Sequence, residues 1–323
     1  MKRILFYLFL FMSLVSKAQI SSYFHGNVKD FIDLKTRPLI IELLEEDEKI
    51  LSKLSKPKKA EELQSYKKMV KLYNEEITVY AKKYWTINKN IEFKNKSEVE
   101  ILRKANNKSY AVLRNLRLND IDFDFKSNLY LNVIVYTKIE SNPQKPDSQV
   151  YLPISSKKAD VFLEEADYKY SLNILQDNIN YIIAQNESVN SENYVKEMAK
   201  GNCPLIKNKT LLVKESILYE KTKKEDCIKK YDGALNIVSD DEINRAFVEK
   251  DKDKVVLFSV PYEIGKGQMG PIGQSFLMSY KVVVDCETGK ILYLFMPRGF
   301  AVMGQNISSI MIEKDFENIK NCK

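Results

Sequence analysis

The sequence predicts an α/β (α+β) protein of two tandem related domains behind a cleaved signal peptide, each domain a mixed sheet with packed helices in the order β-α-β-α-β-β-β. Three observations predict it. Apolar runs with strand character begin at Leu39 and Leu211, a stripe spaced by three and four runs from Leu63 to Tyr84, and one set of apolar and helix-start positions recurs 144 residues further on.

The N-terminus carries Lys2 and Arg3, an apolar run from Ile4 to Phe11, and the small residues Ser16 and Ala18, which is the layout of a secretory leader cleaved after Ala18. The run falls short of the roughly 20 apolar residues of a membrane span, and no later stretch approaches that length. Residues 1–18 are therefore expected to be the leader, 19–34 an N-terminal segment, 35–156 the first unit, 157–207 a helical connector, 208–300 the second unit and 301–323 a C-terminal helix.

In the first unit, Leu39 to Leu43 reads as a buried strand. Leu63, Tyr66, Val70, Tyr73, Ile77, Tyr80 and Tyr84 then mark one face of a long helix, packed on its own sheet rather than in a coiled coil. Ile91 to Phe93 alternates as a strand does, and Ser97 followed by Glu100 has the spacing of a capping box. Tyr110 to Leu113, Leu129 to Ile139 and Val150 to Ile154 supply three further strands.

The second unit repeats this order. Leu211 to Val213 matches the first run, while Leu235, Glu242-Ile243 and Val255 to Leu257 each lie 144 residues beyond Ile91, Glu98-Val99 and Ala111 to Leu113. Ser275 to Asp285 and Lys290 to Met296 form a hairpin around Glu287-Thr288-Gly289, with Gly289 free to take a positive φ. Ile310, Phe316 and Ile319 suggest the C-terminal helix.

The order of elements around Leu39 to Leu113 and Leu211 to Leu257 resembles the small α/β domains of periplasmic envelope proteins, namely the N-terminal domain of the TolB family and the curli secretion lipoprotein family. The lipoprotein cysteine of the curli family is absent and no β-propeller repeat follows. The resemblance implies a fold more than an activity.

The formal net charge of +7 falls to +4 without Lys2, Arg3 and Lys17, and the remaining lysines alternate with acidic residues as on a solvated surface. That pattern speaks against a nucleic-acid partner, which needs a stripe of one sign. All four cysteines, Cys203, Cys227, Cys286 and Cys322, lie in the second half. An even count in an exported chain favours disulfides, and the shorter loops favour Cys203 with Cys227 and Cys286 with Cys322. A zinc site is the competitor; the chain has no Cys-x-x-Cys pair and a single histidine, His25.

With His25 alone, triad and metalloprotease chemistries lack their parts. Gly265, Lys266, Gly267 and Gly270 spell a dinucleotide fingerprint, yet they join two expected strands and open no helix that could hold a pyrophosphate. With Arg298 and Phe300 they form the candidate partner surface, combining backbone freedom with cationic and apolar side chains. Asp120, Asp122 and Asp124 alternate on an expected strand, placing three carboxylates on one side, where Ca²⁺ could bind or where charge simply guards a strand edge. The resulting expectation is a non-enzymatic envelope protein that binds a protein or surface polymer, exported to the periplasm in preference to the cell surface or the medium, with no required cofactor. The alternative is an extracytoplasmic carboxylate- or metal-dependent hydrolase.

Overall fold

The computed structural model describes residues 22–24, 27–117, 131–140, 147–151, 164–186, 199–219, 221–264, 276–295 and 311–322. Two mixed sheets carry the fold. The first runs in the order β1 (Ser22–Phe24), β6 (Ser148–Tyr151), β5 (Leu131–Tyr136), β4 (Ala111–Arg117), β2 (Leu39–Leu43), β3 (Ile91–Asn95). The second runs β11 (Ile291–Phe295), β10 (Phe276–Asp285), β9 (Lys254–Ile264), β7 (Thr210–Lys214), β8 (Leu235–Val238).

From β6 to β3 and from β11 to β8 the two orders coincide, and so do the strand senses. Leu39 on β2 lies opposite Ile91 and Ala111 in parallel register, as Leu211 on β7 lies opposite Leu235 and Val255. The outer pairs β4–β5–β6 and β9–β10–β11 are antiparallel. The first sheet alone has an added edge strand among the described residues, β1 against β6.

The long stripe forms α3 (Ala60–Tyr84), which buries Tyr66, Val70, Tyr73, Ile77 and Ala81. Its lower half packs on the Leu39 and Ile41 face of its own sheet. Asn88, just beyond the helix, ties three segments together. Its Oδ1 accepts from Trp85 Nε1 at 2.8 Å, while Nδ2 donates to Leu34 O at 2.6 Å and Arg37 O at 2.8 Å. Asn88→Ala leaves these buried groups without partners and is expected to cost about 2–4 kcal/mol in urea unfolding.

The opposite face of the first sheet, carrying Ile40 and Val112, is covered by α4 (Lys96–Lys104) through Val99. Here the expected capping box shifts by two residues. Glu98 accepts from Asn95 N at 2.8 Å, and Ser97 instead meets Glu45, which accepts from both its N and its Oγ at 2.8 Å. The remaining helices are α1 (Val28–Leu34), α2 (Glu48–Leu54), α5 (Glu165–Gln185), α6 (Lys224–Tyr231), α7 (Asp240–Val248) and α8 (Glu313–Lys320), with a 3₁₀ turn at Cys203–Asn208.

The stretch expected to be a connector supplies the middle of the molecule. From Ala166 to Ile179 helix α5 is buried on all sides, including Tyr168, Tyr170, Leu172, Ile174, Leu175 and Ile179, as a helix between two layers must be. One continuous core joins it to Leu39, Ile41, Leu113 and α3 on one side and to Leu212, Val256, Phe258 and α7 on the other. Each such Leu or Ile contributes about 1.5–3 kcal/mol of burial. A second core, on the other face of the second sheet, packs Leu211, Val213, Val255 and Leu257 against α6, α8 and the 3₁₀ turn. Gly289 takes φ +73° in the β10–β11 hairpin, where the turn requires it. No helix among the described residues is long and apolar enough to cross a membrane.

Candidate functional site

Residues 1–18, Asp120, Asp122, Asp124, Gly265, Lys266, Gly267, Gly270, Arg298 and Phe300 lie outside the described residues. Their anchor points are described. β9 ends at Ile264 and β10 begins at Phe276, so the glycine-rich segment is flanked by two strands, as the sequence implied. β4 ends at Arg117 and β5 begins at Leu131, which places the aspartate segment at the corresponding connection of the first sheet.

The cysteine pairing differs from the expected one. Cys203 bonds Cys322 across 119 residues, with Cα atoms 6.0 Å apart, while Cys227 and Cys286 are buried thiols. The 3₁₀ turn before β7 and helix α8 pack on one face of the second sheet, and that topology overrides loop length. Burial pushes the Cys227 thiol up to about 11 and the Cys286 thiol up to about 12, so neither is a ready nucleophile.

Charged residues that the sequence reading passed over sit at the carboxyl ends of the central strands. In each sheet this is where crossovers diverge to opposite faces, the place where open α/β sheets commonly bind ligands. Glu42 interrupts the apolar run of β2 one residue before its end and is only 3% exposed; Arg114 Nη2 on β4 lies 2.9 Å from its Oε1. Burial raises the Glu42 carboxyl, and Arg114, Arg103 and Lys96 oppose that rise. Arg114 Nε is buried and has no hydrogen-bond partner.

The matching end of β7 carries the opposite charge. Lys214, 2% exposed, has its Nζ 4.0 Å from Asp240 Oδ2 at the start of α7. Glu164 and Asp167 approach it from the start of α5, where Asp167 Oδ2 accepts from Glu164 N at 3.0 Å. Burial raises both carboxyls and Lys214 opposes it; Glu164 Oε2 and Asp167 Oδ1 are buried without hydrogen-bond partners. The cluster locks the starts of two helices against the second sheet. No group of three acidic, histidine or cysteine side chains among the described residues could hold a metal ion.

Lys281 and Ser259 form a further buried pair, with Lys281 Nζ donating to Ser259 Oγ at 3.0 Å across the β9–β10 register. Burial pulls the Lys281 ammonium down to about 7, against the pull of Asp315. The folded state thus holds fewer protons than the unfolded state between about pH 7 and the free-lysine value of about 10.4, and stability rises with pH across that window. Lys281→Met removes this slope. Its stabilisation, on the order of 4 kcal/mol at most, is expected to be largest at or below about pH 7 and to fade by about pH 10 in denaturant titrations.

The disulfide also forms one wall of a cleft of about 300 Å³, lined by Lys207, Tyr231, Asp232, Lys320 and Asn321. Lys320 Nζ closes on Asp232 Oδ2 at 2.7 Å, so these two of the cleft's charged residues pair with each other.

The chain matches no known protein-family model, no curated protein and no solved structure.

Proposed function

We propose that the chain is an exported, non-enzymatic protein of the cell envelope that holds a protein or surface polymer, built from two copies of one α/β unit in tandem. The carrying observation is the outgrowth of the β9–β10 hairpin. β9 pairs with β7 only as far as Leu257, and β10 pairs with β11 only from Lys281 onward. From Val260 with Tyr280 to Ile264 with Phe276 the two strands pair with each other alone among the described residues. A two-stranded stretch rooted in a packed sheet therefore flanks the chain segment that contains Gly265, Lys266, Gly267 and Gly270, and rigid scaffolds commonly present binding loops from such strand pairs.

Support for export comes from the leader-like N-terminus and from a long-range disulfide of the kind that persists in oxidising compartments. Support for two copies comes from the shared strand order and the recurrence at 144 residues. The test is capture from the cell-envelope fraction by purified chain, intact or lacking residues 265–273. Loss of capture with an unchanged thermal transition is expected; undiminished capture rejects this segment as the contact. Stoichiometric Ca²⁺ removed by Asp122→Asn would favour the hydrolase reading instead.

A further inference from the structure

Cys322 follows α8 where the helix turns into the left-handed region. Its φ is +53°, a conformation that glycine adopts most readily, and its N–H donates to Ile319 O at 3.2 Å. The bond to Cys203 in the 3₁₀ turn fixes a residue with a Cβ in that conformation. The two ends of the bond have unlike surroundings. Cys203 is 1% exposed and belongs to the core around Leu211, Val213 and Phe316, whereas Cys322 is exposed. Both border the cleft of about 300 Å³, which has room for a thiol-bearing side chain. A thiol that enters the cleft therefore meets the bond at Cys322.

Helix α8 has other moorings. Phe316 and Ile319 are buried in the second core, Tyr293 Oη donates to Asn318 O at 3.3 Å, and Lys320 pairs with Asp232. Ahead of the helix, Met311 N donates to Ile217 O at 2.7 Å and Tyr219 N donates to Met311 O at 2.9 Å. With the bond open these contacts keep α8 on the sheet, and what is released is the chain just beyond Lys320. Cys227 and Cys286 are buried thiols that burial keeps protonated, so neither competes for the bond.

We propose that Cys203–Cys322 is a redox latch, opened and closed in the folded protein by a dithiol of the Cys-x-x-Cys class acting at Cys322. A thiolate of the dithiol attacks Cys322 Sγ, forming a mixed disulfide and expelling the Cys203 thiolate, which takes up a proton from water. The second thiolate of the dithiol attacks its partner sulfur, closes the dithiol's own disulfide and releases Cys322 as a thiolate, which is protonated in turn. The chain gains two electrons and two protons, and the dithiol loses the same. A monothiol stalls at the mixed disulfide, because Cys203, held in place by the 3₁₀ turn, attacks back at high effective concentration. Run in reverse, the sequence closes the latch. The latch is independent of the contact segment proposed above.

Two measurements test it. In the unaltered chain, dithiothreitol is expected to open the bond at a rate proportional to its concentration and unchanged by urea below the unfolding transition. Iodoacetamide then labels Cys203 and Cys322 alone, while β-mercaptoethanol at equal thiol concentration leaves the bond closed. Opening that accelerates with urea in step with global unfolding overturns the proposal, since the bond then reacts only in the unfolded chain. The single variants Cys203→Ser and Cys322→Ser both lose the bond and share its stability cost, so comparing them cancels effects on folding. The Cys322 thiol of Cys203→Ser is expected to react with dithionitrobenzoate roughly 10–100-fold faster than the Cys203 thiol of Cys322→Ser. Equal rates, or a faster Cys203, overturn Cys322 as the point of attack.

Discussion

Replacing Cys203 and Cys322 together by alanine lowers the thermal midpoint by roughly 6–8 °C. Their bond spans 119 residues, and closing a loop of that size stabilises by on the order of 4–5 kcal/mol through the unfolded chain. The bond also pins α8 and the 3₁₀ turn, which together close the second core around Leu211 and Val213. Cys227→Ala and Cys286→Ala lose only a buried sulfur each and are expected to cost on the order of 1 kcal/mol. Peptide mapping under non-reducing conditions assigns the pair. A Cys203–Cys227 peptide in place of Cys203–Cys322 would contradict the structure directly.

Arg114→Met is the second large effect, at about 3–5 kcal/mol, because it strands the buried Glu42 carboxylate at the end of β2. The loss comes from the uncompensated charge and not from the missing attraction. Glu42→Gln with Arg114→Met is therefore expected to recover much of the stability, and Glu42→Gln alone to cost less than Arg114→Met. Urea unfolding of the four proteins closes the cycle, and equal, additive losses would show that Arg114 matters for packing alone.

What the sequence made visible were elements with a clear contrast between two faces. The stripe from Leu63 to Tyr84 became α3 because one side meets a sheet and the other meets water. The Glu287-Thr288-Gly289 turn was legible because a positive φ selects glycine. Helix α5 offered no such contrast. Enclosed between two layers, it reads simply as helical, and its place at the centre of the core depends on contacts more than 70 residues away, such as Ala166 with Asn244.

The cysteine pairing failed for a related reason. Loop-closure entropy changes by only about 0.6 kcal/mol per doubling of loop length, too little to compete with a fold that brings Cys203 to Cys322. The helix-start misreading at Ser97 arose because Glu45, from a distant loop, claims its hydroxyl and leaves capping to Asn95 and Glu98. Lys214 closes an apolar run and Glu42 interrupts one, and a charge near the carboxyl end of a buried strand was the available signal for both. Their opposite signs at corresponding positions only acquire meaning once the faces of the two sheets are known.

Native-state hydrogen exchange tests the central claim, that α5 belongs to one core shared by both sheets. The amides of Ile174, Leu175 and Ile179 are expected to exchange only through global opening, with the same free energy as Ile41 and Leu113 in one sheet and Leu212 and Val256 in the other. Early exchange along α5, with the two sheets opening at separate free energies, would make the helix a tether between independent domains and contradict the account.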